Sequence, residues 1–212
     1  MLRPISALCL ALAAGPAMAG ATPEGAARLA ASLRTWFGSL PGVVSVVPAG
    51  ASYTLTLDPA PLAALMPGGA SAAATPLVYA LTDRGDGTWG VTQDQPLGAR
   101  LDAGAAGGME IRADSITCEG IFDTALMAFA RNACRLTGIA MEQRTPGPEG
   151  TPVAVSYRAA AIEYASAAAA AAGGAGVDVT MSYTLSGLAE SFVLPAGPGA
   201  PPQRIEVTAD RY

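Results

Sequence analysis

Val177-Asp178-Val179-Thr180-Met181-Ser182-Tyr183-Thr184-Leu185-Ser186 alternates apolar and polar residues without a break. In an extended chain a period of two sends Val177, Val179, Met181, Tyr183 and Leu185 to one face and their polar neighbours to the other. That is a half-buried β-strand. Upstream, Val153, Val155 and Tyr157 oppose Ser156 and Arg158, and the apolar parity then passes to Ile162 and Tyr164. The switch predicts a β-bulge near Ala159 to Ala161. The two strands are expected to pair antiparallel, joined through Ser166 to Gly176. Ala167 to Ala172 favours helix by propensity, but six residues are too few to hold one alone, so a turn or frayed helical cap is expected there.

The same period recurs towards the N-terminus. Val43 to Val47 and Ser52 to Asp58 flank Pro48-Ala49-Gly50, and Leu77 to Thr82 and Thr88 to Gln93 bracket Asp83-Arg84-Gly85-Asp86-Gly87, a hairpin signal. Gly107 to Asp114 and Cys134 to Arg144 read as further strands. Pro59 to Met66 reads as one helical turn before Pro67-Gly68-Gly69, and Phe122 to Ala130 as a short helix. Beyond a proline- and glycine-rich crossing at Pro195 to Pro202, Ile205, Val207 and Ala209 alternate with Glu206, Thr208 and Asp210 until Tyr212. Either that last strand is an edge strand at the true C-terminus, or the chain is the front part of something longer.

One segment has a helical period. Thr22 caps, Pro23 suits the first helical position, Glu24 favours the positive end of the dipole, and Gly38 ends the run. Ala26, Leu29, Ala30, Leu33, Trp36 and Phe37 make its apolar stripe, which is expected to plug one end of a β-core. The fold expected is therefore mainly β: a curved antiparallel sheet or β-sandwich of long strands with one N-terminal helix and short helical turns.

The first nineteen residues read as a secretory signal peptide: Arg3, an apolar run from Ile5 to Ala14, and Ala17-Met18-Ala19 for cleavage after Ala19. Residues 20–212 then form a single β-rich domain, in the periplasm, with no transmembrane segment after cleavage. Cys9 leaves with the leader. Cys118 and Cys134 remain, and an even pair in an oxidising compartment predicts one disulfide, worth about 3 kcal/mol in the chain-entropy picture.

Composition excludes many activities. The 212 residues contain no histidine, and all 12 basic residues are arginines. Without His there is no imidazole base and no ordinary zinc or copper site. Without Lys there is no Schiff base, pyridoxal anchor or phosphate-loop lysine. Loss of Arg3 leaves eleven arginines against 17 acids, so nothing suggests nucleic acid or an anionic surface as partner. Alanine accounts for 47 residues, which discounts the high mean hydropathy as a membrane signal.

Individual motifs add little. Asp83 to Asp94 has acids where a calcium loop begins and ends, but Gly85 and Gly87 occupy its third and fifth ligand positions. Arg84-Gly85-Asp86 is an adhesion tripeptide at a hairpin tip, where coincidence is the plain reading. Glu110, Asp114, Glu119 and Asp123 are spaced acids that could serve glycoside hydrolysis only if paired in a cleft with aromatic platforms. Gly104 to Gly108 and Gly173 to Gly176 do not lead from strand to helix, and Ser115, Ser186 and Ser191 have no base beside them. No catalytic residue, cofactor or metal is expected.

Tyr53-Thr54-Leu55-Thr56-Leu57-Asp58, Pro76-Leu77-Val78-Tyr79, Gly85-Asp86-Gly87-Thr88-Trp89, Gly120-Ile121-Phe122-Asp123 and Tyr183-Thr184-Leu185-Ser186-Gly187-Leu188 resemble an uncharacterised family of exported alphaproteobacterial proteins, a domain of unknown function. The family is distantly similar to the AsmA and TamB class, whose β-sheets form apolar grooves for lipid. The resemblance implies a longer parent protein and assigns no functional residues. The leading expectation is a non-enzymatic envelope protein binding a lipid or other hydrophobe in a groove lined by Tyr157, Val179, Met181, Tyr183 and Leu185. A closed β-sandwich that binds envelope proteins by its edges is the alternative, and a carboxylate-type glycan hydrolase the remote one.

Overall fold

A computed structural model describes residues 20–66, 70–147, 152–173, 176–194 and 203–211. The leader expected over 1–19, the Pro67-Gly68-Gly69 break, the crossing expected over 195–202 and Tyr212 lie outside the described residues.

Helix α1, Pro23–Phe37, opens the described chain, with the Thr22 hydroxyl accepting from the Gly25 amide. Strands β1 (Val44–Ala49) and β2 (Ser52–Leu57) form the first hairpin, and a single helical turn, α2 (Ala60–Ala63), follows. Asp58 Oδ1 accepts the Ala60 amide at 2.9 Å and starts that turn. Then come β3 (Ser71–Ala74), β4 (Leu77–Asp83), β5 (Thr88–Asp102), β6 (Gly108–Asp123), β7 (Ala128–Pro146), β8 (Pro152–Ala170), β9 (Val177–Leu194) and β10 (Gln203–Arg211). All lie in one 10-stranded sheet, in the order β1-β2-β4-β5-β6-β7-β8-β9-β10, with β3 beside β5. Every pairing is antiparallel, and the sheet is curved and unclosed. The curved sheet is thus the form taken, and the closed sandwich is not.

The hairpin tips explain themselves chemically. Between β4 and β5, Asp83 Oδ1 accepts the Gly85 amide, and Asp86 Oδ1 accepts both the amide and hydroxyl of Thr88. Gly85 and Gly87 supply φ values of 75° and 83°, which a side chain would resist. The helix expected over 122–130 is instead the end of β6, a turn over 124–127 and the start of β7. Asp123 Oδ1 accepts the amides of Ala125 and Leu126, an Asx turn that outcompetes a helical start. The alanine run is also corrected. Ala167 to Ala170 continue β8 because Thr180 to Val177 pair with them, overriding helix propensity.

The bulge expected near Ala159 to Ala161 is an irregularity of another kind. Both ladders of β8 skip Ala160 and resume with no residue inserted on either side. Opposite lie Gly138 in β7 and Gly187 in β9, with φ of 59° and 60°. The β6–β7 ladder also lapses between Arg112 and Ser115, and the β5–β6 register shifts between Gln95 and Leu97. These lapses line up across the sheet as one transverse crease. A Cβ on Gly138 would strike the Asp114 carboxylate, and one on Gly187 would come within 2.9 Å of Ala160 Cβ, so glycine is required twice over. Ala113, Ala159 and Ala161, all buried, flank the crease.

The core sits at the β1 end. Val43, Val44, Leu55 and Leu81 are buried, with Leu33, Tyr53, Tyr79, Trp89 and Val91 packed against them. Helix α1 buries Ala26 and Ala30 there, and its Thr22 amide donates to the Tyr53 hydroxyl. The apolar stripe expected on α1 is only partly used, since Trp36 and Phe37 are exposed.

Candidate functional site

Residues directly opposite one another in an antiparallel sheet share a face. One such row runs Pro48, Tyr53, Leu81, Val91, Gly120, Asn132, Ser166 and Met181, from β1 to β9. The next runs Gln93, Cys118, Cys134, Tyr164 and Tyr183, and the one beyond it Gln95, Ile116, Leu136, Ile162 and Leu185. The core under α1 and the alternating residues of β9 are therefore two ends of a single face, apolar in these rows apart from Gln93, Gln95, Asn132 and Ser166. On β5 the same face continues past the crease through Leu97 to Ala99, whose row is Ile111, Met141, Tyr157 and Glu190.

The covering of that face changes along the sheet. Leu55 and Leu81 are 6% and 7% exposed, while Val179, Met181 and Tyr183 are 56%, 67% and 68% exposed. Leu185, Ile162 and Tyr164 are intermediate. The opposite face is polar, with Arg135 bridging to Glu163 at 2.6 Å in full view of solvent. Such an exposed pair contributes little stability.

All five residues expected to line a groove fall on this face, with Tyr157 beyond the crease from the other four. Tyr157 stands opposite Glu190, and a hydrogen bond to that carboxylate raises its phenol above the ordinary tyrosine value. Burial raises Tyr79 in the same direction. The sequence reading left Leu136, Ile162 and Tyr164 out of the lining, because only the strand register shows that they stand beside Leu185 and Tyr183.

Cys118 and Cys134 are directly opposed on β6 and β7, Cα atoms 4.1 Å apart and sulfurs at disulfide distance. They lie on the apolar face, in line with Tyr164 and Tyr183. Beside them Gln93 is buried, and its Nε2 has no hydrogen-bond acceptor among the described residues.

The acidic candidates are dispersed. Asp123 holds its turn, Asp114 lies against Gly138, and Glu119 stands between Thr92 and Ala133. Glu110 does meet a second carboxylate, Glu142, directly opposite it, in a cavity of about 560 Å³. Both are exposed, Arg100 and Arg144 share the cavity, and among the described residues no aromatic ring lines it. A glycosidase acid needs seclusion from water and cations, which this cavity does not provide. At the hairpin tip, Asp86 is held below the ordinary carboxylate range by the Thr88 hydroxyl, then by the Thr88 amide. Its Oδ1 is engaged within the turn. Among the described residues, no cluster of three or more acids or cysteines is arranged to hold a metal, and no helix is long and apolar enough to cross a membrane. No protein-family model, curated protein or solved structure matches this chain.

Proposed function

We propose that this is an exported, non-enzymatic protein of the periplasmic envelope that holds a lipid or another hydrophobe on its apolar sheet face. The observation that carries the reading is the gradient of exposure along one continuous face. Cover by α1 and the core ends near β5, while the apolar residues continue to β9. Water against Val179, Met181, Tyr183 and their neighbours is unfavourable by roughly 25 cal/mol for each Å² left uncovered. A strand of 19 residues spans about 60 Å at about 3.3 Å per residue, long enough to lay an extended acyl chain along it. The resemblance read from the sequence, to a family distantly similar to the AsmA and TamB class, implies the same expectation, as does the export signal read in the first nineteen residues.

The test is extraction of the purified mature protein followed by lipid mass spectrometry, with apolar-dye titration of the extracted protein. Co-purifying lipid that the extracted protein rebinds supports the reading. A stable lipid-free protein with no affinity for apolar dyes sinks it.

A further inference from the structure

The strands at the two ends of the main strand order are not alike. Strand β1 is obstructed: Pro48 has no amide to donate, α1 packs against the strand, and Arg34 Nη2 reaches the Val44 carbonyl at 3.5 Å. Strand β10 has a neighbour on one side only among the described residues, contains no proline, and is exposed at every position except Ala209. A nine-residue strand whose outer amides and carbonyls have no strand partner among the described residues is a template for another strand.

We propose that β10 pairs antiparallel with β10 of a second copy of this chain, about a two-fold axis through Val207. Three observations select this partner and this register. The obstructed β1 does not accept β10, and β3, paired on one side only, is four residues long and too short to template it, so a two-fold pair of β10 is the outcome. Continuity of the apolar face requires Ile205, Val207 and Ala209 to oppose one another and not their polar neighbours. Among registers that satisfy this, the one centred on Val207 engages all nine residues and sets Arg204 opposite Asp210 of the second copy, twice. Moving the centre to Glu206 would oppose two glutamates, and moving it to Thr208 would set Glu206 against Asp210, both unfavourable. A centre on Ile205 keeps the signs matched but pairs only five of the described residues. The outcome is one continuous sheet with both apolar faces on the same side. This inference does not depend on what that face holds.

Sedimentation velocity of the mature protein up to about 200 µM tests the association, since a single strand pair gives a weak dimer. A reversible dimer is expected. Asp210→Arg, which sets arginine against arginine, should weaken it about tenfold, and the exchanged variant Arg204→Asp with Asp210→Arg should restore it. Far-UV circular dichroism of each variant confirms that the sheet is intact. Val207→Cys reads the register: oxidation should link it to itself across the axis, whereas Ile205→Cys and Thr208→Cys should stay unlinked. A monomer throughout the range, a dimer indifferent to both charge variants, or self-linkage at Ile205→Cys in place of Val207→Cys would each overturn the proposal.

Discussion

Leu55→Ala and Met181→Ala should separate the two ends of the apolar face. Both side chains lie on it, yet Leu55 is 6% exposed and Met181 67%. Truncating a buried leucine costs about 2–5 kcal/mol, combining lost transfer energy with the cavity left behind. Among the described residues four apolar side chains form the buried cluster, and half-buried neighbours can relax around it, which places Leu55→Ala near about 3 kcal/mol. Full burial of a methionine contributes about 1.5–3 kcal/mol, and Met181 has only a third of its surface covered, so its loss should cost under about 1 kcal/mol. Urea unfolding followed by circular dichroism, with midpoints compared at constant slope, measures both. Tyr183→Ser, combined with Met181→Ala, should lower affinity for an apolar dye while moving the midpoint little. A Met181→Ala cost equal to that of Leu55→Ala would refute the reasoning, because it would mean that the β9 end is covered in the free protein.

Other outcomes follow from single contacts. Cys118→Ser with Cys134→Ser should lower stability by about 3 kcal/mol, given a separation of 16 residues, and reductant should reproduce the loss in a melting curve of the native protein. Gly187→Ala places a Cβ at φ 60° and against Ala160, and should cost more than about 1 kcal/mol in the same unfolding assay. Gln93→Met removes an amide nitrogen without an acceptor from a buried site and should raise the urea midpoint, by about 1 kcal/mol. A fall in that midpoint would show that Nε2 has a partner in solution.

Much of the sheet was legible because alternation is a local signal. The run from Val177 to Ser186, both N-terminal hairpins and the capped helix at Pro23 each state their geometry within ten or fifteen residues. What escaped was set by competition or by distance. Phe122 to Ala130 has helical spacing, but a single carboxylate, Asp123, satisfies two amides and fixes a turn. The alanines after Ser166 have helical propensity, but a neighbouring strand offers them a ladder. Strand β3 is four residues, Ser71–Ala74, too short and too uniform to show a period. The parity switch at Ile162 was visible; that it belongs to a crease shared with Gly138 and Gly187 required the register of three strands. The lining of the face was half legible for the same reason. Sequence shows which residues of β9 point together, and only the fold shows that Tyr164 and Leu136 join them.

The order of the strands bears on how the molecule is made. From β4 onward each ladder joins segments adjacent along the chain, apart from the short β3 contact, so loop-closure entropy stays small at every step. Assembly can start at the helix-bearing hairpin and zip outward in the order of synthesis, each new hairpin templated by the last. Stability in such an array approximates a sum of nearest-neighbour terms, as in solenoids. Damage to a late strand should accordingly fray that end and leave the earlier ladders formed.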